Sequence, residues 1–120
     1  MAAVVTRSLS RSFGEREVLR RIDLTIAPDE FVALLGRSGS GKSTLLRILA
    51  GLDVGAEGEA WVPERRAVVF QDPRLLPWRS VLDNVVLGLT GAGARDDGRR
   101  ALAEVGLDGH EQDWPKTLSG

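Results

Sequence analysis

Gly36-Arg37-Ser38-Gly39-Ser40-Gly41-Lys42-Ser43 packs glycines, hydroxyls and one lysine into a short stretch. The chemistry this combination suits is anion binding. Glycines admit backbone conformations closed to other residues, so successive N–H groups can turn into one concavity. A helix beginning near Gly41 would add its positive end, roughly half an elementary charge. Lys42 would add a full charge, within reach of β- and γ-phosphates. The Ser43 hydroxyl is a hard oxygen donor of the kind Mg²⁺ prefers. The spacing fits G-x-x-x-x-G-K-[ST], the pattern of a phosphate-cradling loop. The rival dinucleotide fingerprint, G-x-G-x-x-G, fails: the glycines here run G-x-x-G-x-G and lead into Lys-Ser.

Such a loop needs a strand before it and a helix after it. Phe31-Val32-Ala33-Leu34-Leu35 is a continuous apolar run that reads as a buried parallel strand. Leu45, Leu46, Ile48 and Leu49 follow at helical spacing, and Gly51 stands where a helix would stop. Strand, glycine loop and helix together point to nucleotide binding.

The rest of the composition narrows the class. At 120 residues and 42% apolar, the chain has the size and core of one domain or part of one. A net charge of −1 gives no global argument for nucleic acid or an anionic membrane. The arginines are scattered and form no nucleic-acid stripe. The absence of cysteine excludes disulfides and thiolate metal sites. Arg7 interrupts the N-terminus before a signal-peptide core can form, and no apolar run approaches the ~18 residues of a membrane span. The expectation is a soluble, cytoplasmic protein.

Along the chain, Ala3–Leu9 and Val18–Ile26 alternate as strands around a turn at Phe13-Gly14-Glu15. Pro28-Asp29-Glu30 makes another turn. Asp53–Glu59 reads as an acidic, glycine-containing loop. Ala60-Trp61-Val62 and Ala67-Val68-Val69-Phe70 read as two further strands, and Gln71–Trp78 as irregular. Ser80-Val81-Leu82-Asp83 resembles a capping box and opens a helix to about Leu89. Gly91–Gly98 reads as a linker, and Arg99–Val105 as a helix ended by Gly106. Asp108–Thr117 is polar, and no internal repeats are visible.

Four segments together resemble the ATP-binding cassette subunits of bacterial ABC importers. They are Phe13-Gly14, Gly36–Thr44, Phe70-Gln71-Asp72-Pro73-Arg74-Leu75-Leu76-Pro77-Trp78, and Leu118-Ser119-Gly120. The second is shared by all P-loop NTPases; the third is far more specific. The continuation Leu-Leu-Pro-Trp-Arg-Ser-Val-Leu-Asp-Asn-Val is most similar to the importers of nitrate, taurine and aliphatic sulfonates. Trp114-Pro115 fits that subgroup too. The resemblance implies an α/β P-loop core, here partial, with an antiparallel β subdomain and the start of a helical subdomain. The implied division is 1–30 as the β-rich start, 31–71 as the core through the Q-loop glutamine, and 72–120 as the partial helical subdomain.

It also implies roles. Phe13 matches the aromatic that stacks on adenine, although a Phe packed under the sheet is the plainer alternative. Gly36, Arg37, Ser38, Gly39, Ser40 and Gly41 would cradle phosphates. Lys42 would hold the β/γ-phosphates of ATP and Ser43 the Mg²⁺. Thr44 would reach the α-phosphate, unless its hydroxyl merely bonds backbone. Gln71 would approach the Mg²⁺ and the attacking water and signal to the membrane subunit; an amide suits this because it donates and accepts. Lys42 and Gln71 are the catalytic pair the resemblance finds in this chain. Leu118, Ser119 and Gly120 match the start of the LSGGQ signature, which faces the nucleotide of the opposite subunit. Trp78 belongs either to a surface receiving the permease or to a core. His110 reads as a solvated loop residue.

The family's Walker B aspartate, catalytic glutamate, D-loop and switch histidine follow the signature, and none lies in these residues. The chain therefore reads as the N-terminal part of a longer product, not hydrolytic alone, with apolar strand faces exposed and solubility poor. A chain ending naturally at Gly120 is the alternative. The complete protein would couple MgATP hydrolysis to solute import as a homodimer on integral membrane permease subunits, at the inner face of the cell membrane. It would be served indirectly by a periplasmic or lipoprotein solute-binding protein, and nucleic acid is not an expected partner. A nucleotide-binding module without turnover and a non-transport ATPase of the same cassette stay open.

Overall fold

The computed structural model describes residues 2–118, so Ser119 and Gly120, with their proposed signature role, lie outside the described residues. Two compact units emerge, one running to Val69 and the other beginning at Phe70.

The first unit is built on a three-stranded antiparallel sheet in the order β2-β1-β3. Its strands are β1 (Val4–Phe13), β2 (Arg16–Ile26) and β3 (Glu57–Trp61). The two-residue turn at Gly14-Glu15 sets the β1–β2 register, pairing Phe13 with Arg16 and Val4 with Ile26. The acidic stretch expected to be all loop thus enters the sheet at Glu57, because β1 offers it a free edge: Arg7 pairs with Glu59 and Val5 with Trp61. Irregularities in the β1–β2 ladder coincide with left-handed backbone at Ser8 and Arg21. Side chains take up the freed amides there: Asp23 accepts from the Ser8 N–H at 2.6 Å, and Ser10 from that of Arg21 at 2.9 Å.

Helix α1 (Lys42–Leu49) lays Leu45 and Ile48 on Leu9 and Leu19 of the ribbon. These four are the buried core of the unit, flanked by Ile22, Leu49 and Ala56. Each is a site where truncation to alanine costs about 2–5 kcal/mol. Buried Thr6 satisfies its hydroxyl by donating to the Ile22 carbonyl at 2.9 Å. Gly51, at φ +77°, ends α1: its N–H donates to the Ile48 carbonyl and that of Leu52 to Arg47, the pairing of a Schellman stop. Asp29, where the resembled family usually has glycine, takes a left-handed φ of +60°.

Two expected strands do not form. Phe31–Leu35 and Ala67–Phe70 make no ladder, and Phe31 and Val69 are 94% and 97% exposed. A parallel strand is stable only between neighbours that satisfy its backbone and cover its faces. Among the described residues neither run has such a neighbour.

The second unit packs α2 (Val81–Val85) against α3 (Ala94–Glu104) around Val81, Leu82 and Leu102, with Val86, Leu107 and Leu118 at the margin. Ser80 caps α2, accepting from the Asp83 N–H at 3.2 Å as its spacing suggested. The helix is shorter than expected, closing at Val86 before a turn. α3 is longer: it starts at Ala94 inside the expected linker, with Asp96 and Asp97 favouring its positive end. Gly98 is buried where the helices approach, and a Cβ there would lie 2.9 Å from Leu82 Cδ1 and overlap Val86. The expected effect of Gly98→Ala is therefore a loss of about 1–3 kcal/mol from overpacking, outweighing a helix-propensity gain of about 1 kcal/mol. Urea unfolding measures the sum, and a stabilised variant would contradict the packing.

Candidate functional site

The sheet and α1 position one cleft of about 600 Å³, lined by Phe13, Arg16, Val18, Ser38, Gly39, Gly41, Lys42, Ser43 and Thr44. Its wall is the β1–β2 hairpin end and its floor the start of α1. Phe13 is half exposed (49%), so it is not a core residue of the sheet. Seven of these lining positions were legible from sequence. Arg16 and Val18 were not, because only the hairpin register brings the first residues of β2 beside Phe13.

Gly41 joins loop to helix. Its φ of +98° favours glycine, and a Cβ would stand 2.9 Å from Leu19 Cδ2 and 3.0 Å from the Val18 carbonyl oxygen. Glycine at this position is thus required twice, by backbone conformation and by close approach of the loop to β2. The start of α1 carries no side-chain cap and no acidic residue in its first turn. By contrast, α2 and α3 both have aspartates there. The unpaired N–H groups and dipole of α1 are left for an anion.

The loop closes on itself through Lys42, whose Nζ donates to the carbonyls of Gly36 and Arg37 and, at 3.2 Å, to Ser40 Oγ. The Ser40 N–H donates to the Arg37 carbonyl at 3.1 Å. Gly36, Arg37 and Ser40 thus meet the lysine instead of lining the cleft. A Cβ at Gly36 would crowd Ser40 Oγ to 2.8 Å and stand 3.6 Å from Lys42 Nζ, so a side chain there would press on the lysine's contacts. Ser43 and Thr44 sit on the first turn and line the cleft. Among the described residues no three His, Cys, Asp or Glu side chains converge to hold a metal. A divalent ion here fits the Ser43 hydroxyl together with a ligand's own phosphate oxygens.

Behind Phe13 stands an ion pair. Arg11 Nε donates to Asp53 Oδ2 at 3.0 Å, and the guanidinium lies 4.2 Å from the Phe13 ring centroid. The hydrogen bond from Arg11, with a second from the Gly55 N–H, holds the Asp53 carboxyl below its usual pKa.

In the second unit, Gln71 is exposed at a bend beside Phe70, over whose ring the Arg74 guanidinium sits at 4.3 Å. Asn84 orders the proline-containing loop that follows. Its Oδ1 accepts from the Leu76 N–H at 2.7 Å, and its Nδ2 donates to the carbonyls of Leu76, Arg79 and Ser80. Trp78 is 70% exposed among the described residues. Leu118 is half-buried against the α2–α3 cluster. His110 is exposed in a loop, its Nδ1 2.6 Å from Asp113 Oδ2. No described helix is long and apolar enough to cross a membrane.

A glycine loop closing onto an uncapped helix start, with a lysine and hydroxyls on its first turn, defines a phosphate-binding cassette of the P-loop kind. The ABC transporter family model matches residues 19–120, and the chain belongs to that family. It is 68% identical over 119 residues to an aliphatic sulfonates import ATP-binding protein of Nocardia farcinica, covering 98% of this chain and 50% of that protein. Its identity to the aliphatic sulfonates import ATP-binding protein SsuB 1 of Frankia alni is 64% over 118 residues, covering 98% of this chain and 44% of the relative. The chain thus spans about half the length of the curated relatives it matches. The fold matches a solved structure described as an inward-facing conformation of a metal-chelate type ABC transporter. The TM-score is 0.74 over 99% of this chain and 51% of that one, at 21% identity. The fold class expected from sequence, a partial P-loop NTPase domain with an antiparallel sheet, is the one found.

Proposed function

We propose that this chain forms the nucleotide-binding part of an ABC importer subunit that takes up an aliphatic sulfonate or a similar small anion. The observation that carries the nucleotide reading is the cleft itself: an aromatic ring at one wall and an uncapped helix start with Lys42 at the floor. A ligand matching both ends has a π face and a phosphate chain. Phe13 stacks the base, Lys42 and the loop amides hold the β/γ-phosphates, and Ser43 and Thr44 orient the chain from the first turn. When bound, Mg²⁺ would supply charge neutralisation of the phosphates, with the Ser43 hydroxyl as an oxygen donor from this unit. The sulfonate reading rests on the names of the relatives at 58–68% identity. The partners proposed are a second ATP-binding subunit and permease subunits, at the cytoplasmic face of the membrane.

Gln71 tests the coupling half of the reading. In a version extended through the family's remaining motifs and reconstituted with permease, Gln71→Ala is expected to bind ATP normally and lose transport-stimulated hydrolysis. Sulfonate uptake into vesicles measures this, and unimpaired stimulation would refute the role.

A further inference from the structure

The inference deepens the nucleotide reading and rests on Phe13 being the base platform. We propose that Arg11 and Asp53 are positioning residues for that platform: Asp53 holds the Arg11 guanidinium over one face of Phe13, fixing the ring so that a purine stacks on the other.

Phe13 ends β1 at the hairpin turn and is half exposed, so the sheet alone does little to hold its ring. The guanidinium 4.2 Å from the centroid supplies the missing contact on one face. Arg11 is itself held at two points. Its Nε donates to Asp53 Oδ2 at 3.0 Å, and its Nη1 donates to the Ser12 carbonyl at 2.9 Å. Asp53 is anchored in turn by the Gly55 N–H, 2.9 Å from Oδ1. The side chains of Arg11 and Asp53 are only 20% and 15% exposed, unlike the other ion pairs among the described residues, which are wetter. A pair so shielded holds a geometry that a surface pair does not. Gly55 leaves the space: a Cβ there would lie 2.7 Å from the Arg11 guanidinium carbon.

Arg11 does not line the cleft. Its effect on a ligand therefore runs through Phe13. A ring ordered before binding spares the entropy of ordering it afterwards, so the network raises affinity for the base and leaves the phosphates alone. It also ties the loop after α1, where Asp53 sits, to the base end of the cleft, although α1 begins at the phosphate end.

The test separates base from phosphate. Dissociation constants for MgATP and for inorganic tripolyphosphate are measured on the 120-residue chain, with a thermal melt for each variant. The variants are Arg11→Met, Gly55→Ala, Phe13→Ala and the Arg11→Met/Phe13→Ala pair. Gly55→Ala displaces the guanidinium while keeping both charges, so it stands in if Arg11→Met fails to fold. Arg11→Met and Gly55→Ala are expected to weaken ATP about two- to five-fold, with tripolyphosphate unchanged. The double variant is expected to bind ATP no worse than Phe13→Ala alone. Equal weakening of both ligands would reduce the network to a structural role and overturn the proposal. So would unchanged ATP affinity, or tighter binding, which would mean that the guanidinium covers the face the base needs. In those cases Phe13→Ala still selectively weakens ATP and the platform stands. If Phe13→Ala fails to discriminate the two ligands, the platform reading itself falls, and the proposal with it.

Discussion

Lys42→Ala is expected to lower the affinity for ATP by roughly ten- to a hundredfold, the value of one charge-assisted hydrogen bond of about 1.5–3 kcal/mol. Lys42 is the only lysine in the loop, and its ammonium already gathers the Gly36 and Arg37 carbonyls and Ser40 Oγ. Those acceptors hold the cation beside the start of α1, so a phosphate entering the cleft meets a full charge there as well as the helix dipole. Alanine leaves only the dipole, worth about 0.3–1 kcal/mol for an exposed anion. The helix survives the change, because its anchors are Leu45 and Ile48 on the β1–β2 ribbon and Lys42 is not among them. Titration of a fluorescent ATP analogue into both proteins, with circular dichroism to check the fold, measures the effect. Equal affinities would remove the phosphate-loop reading of residues 36–43.

The second large expectation is that the 120-residue chain binds ATP without turning it over. Hydrolysis requires a carboxylate to orient and polarise the attacking water and another to hold the metal's shell. The residues lining the cleft offer a lysine, an arginine and hydroxyls, and no aspartate or glutamate is among them. Asp53 and Glu57, the acidic residues that follow α1, are not among the lining residues. Asp53 accepts from Arg11 and from the Gly55 N–H, and Glu57 begins β3 and is exposed. In the resembled importers both required carboxylates come after the signature motif. Phosphate release by the purified chain is the measurement, with Lys42→Ala as the control for contaminating ATPase. Turnover that the control abolishes would place a catalytic carboxylate within these residues and overturn the argument.

Local chemistry makes much of this protein legible in its sequence. The glycine spacing and Lys42-Ser43 specified the loop, the apolar period specified α1, and Gly51 specified its stop, because each of these depends on residues within a few positions of one another. The Ser80 cap was readable for the same reason. What the tertiary structure decided lies where distant segments meet. The hairpin register brings Arg16 and Val18 to the cleft, and chain return after α1 sets Asp53 against Arg11 and Arg11 against Phe13. Gly98 reads as a linker residue in sequence but packs against α2, and Asn84 carries no sequence sign of clamping the proline loop. Phe31–Leu35 is the converse: its composition is that of a buried strand, yet it pairs with nothing among the described residues. Apolar composition makes a segment able to be a strand. Whether it becomes one depends on hydrogen-bonding neighbours from other parts of the fold, and that is information no local run of residues contains.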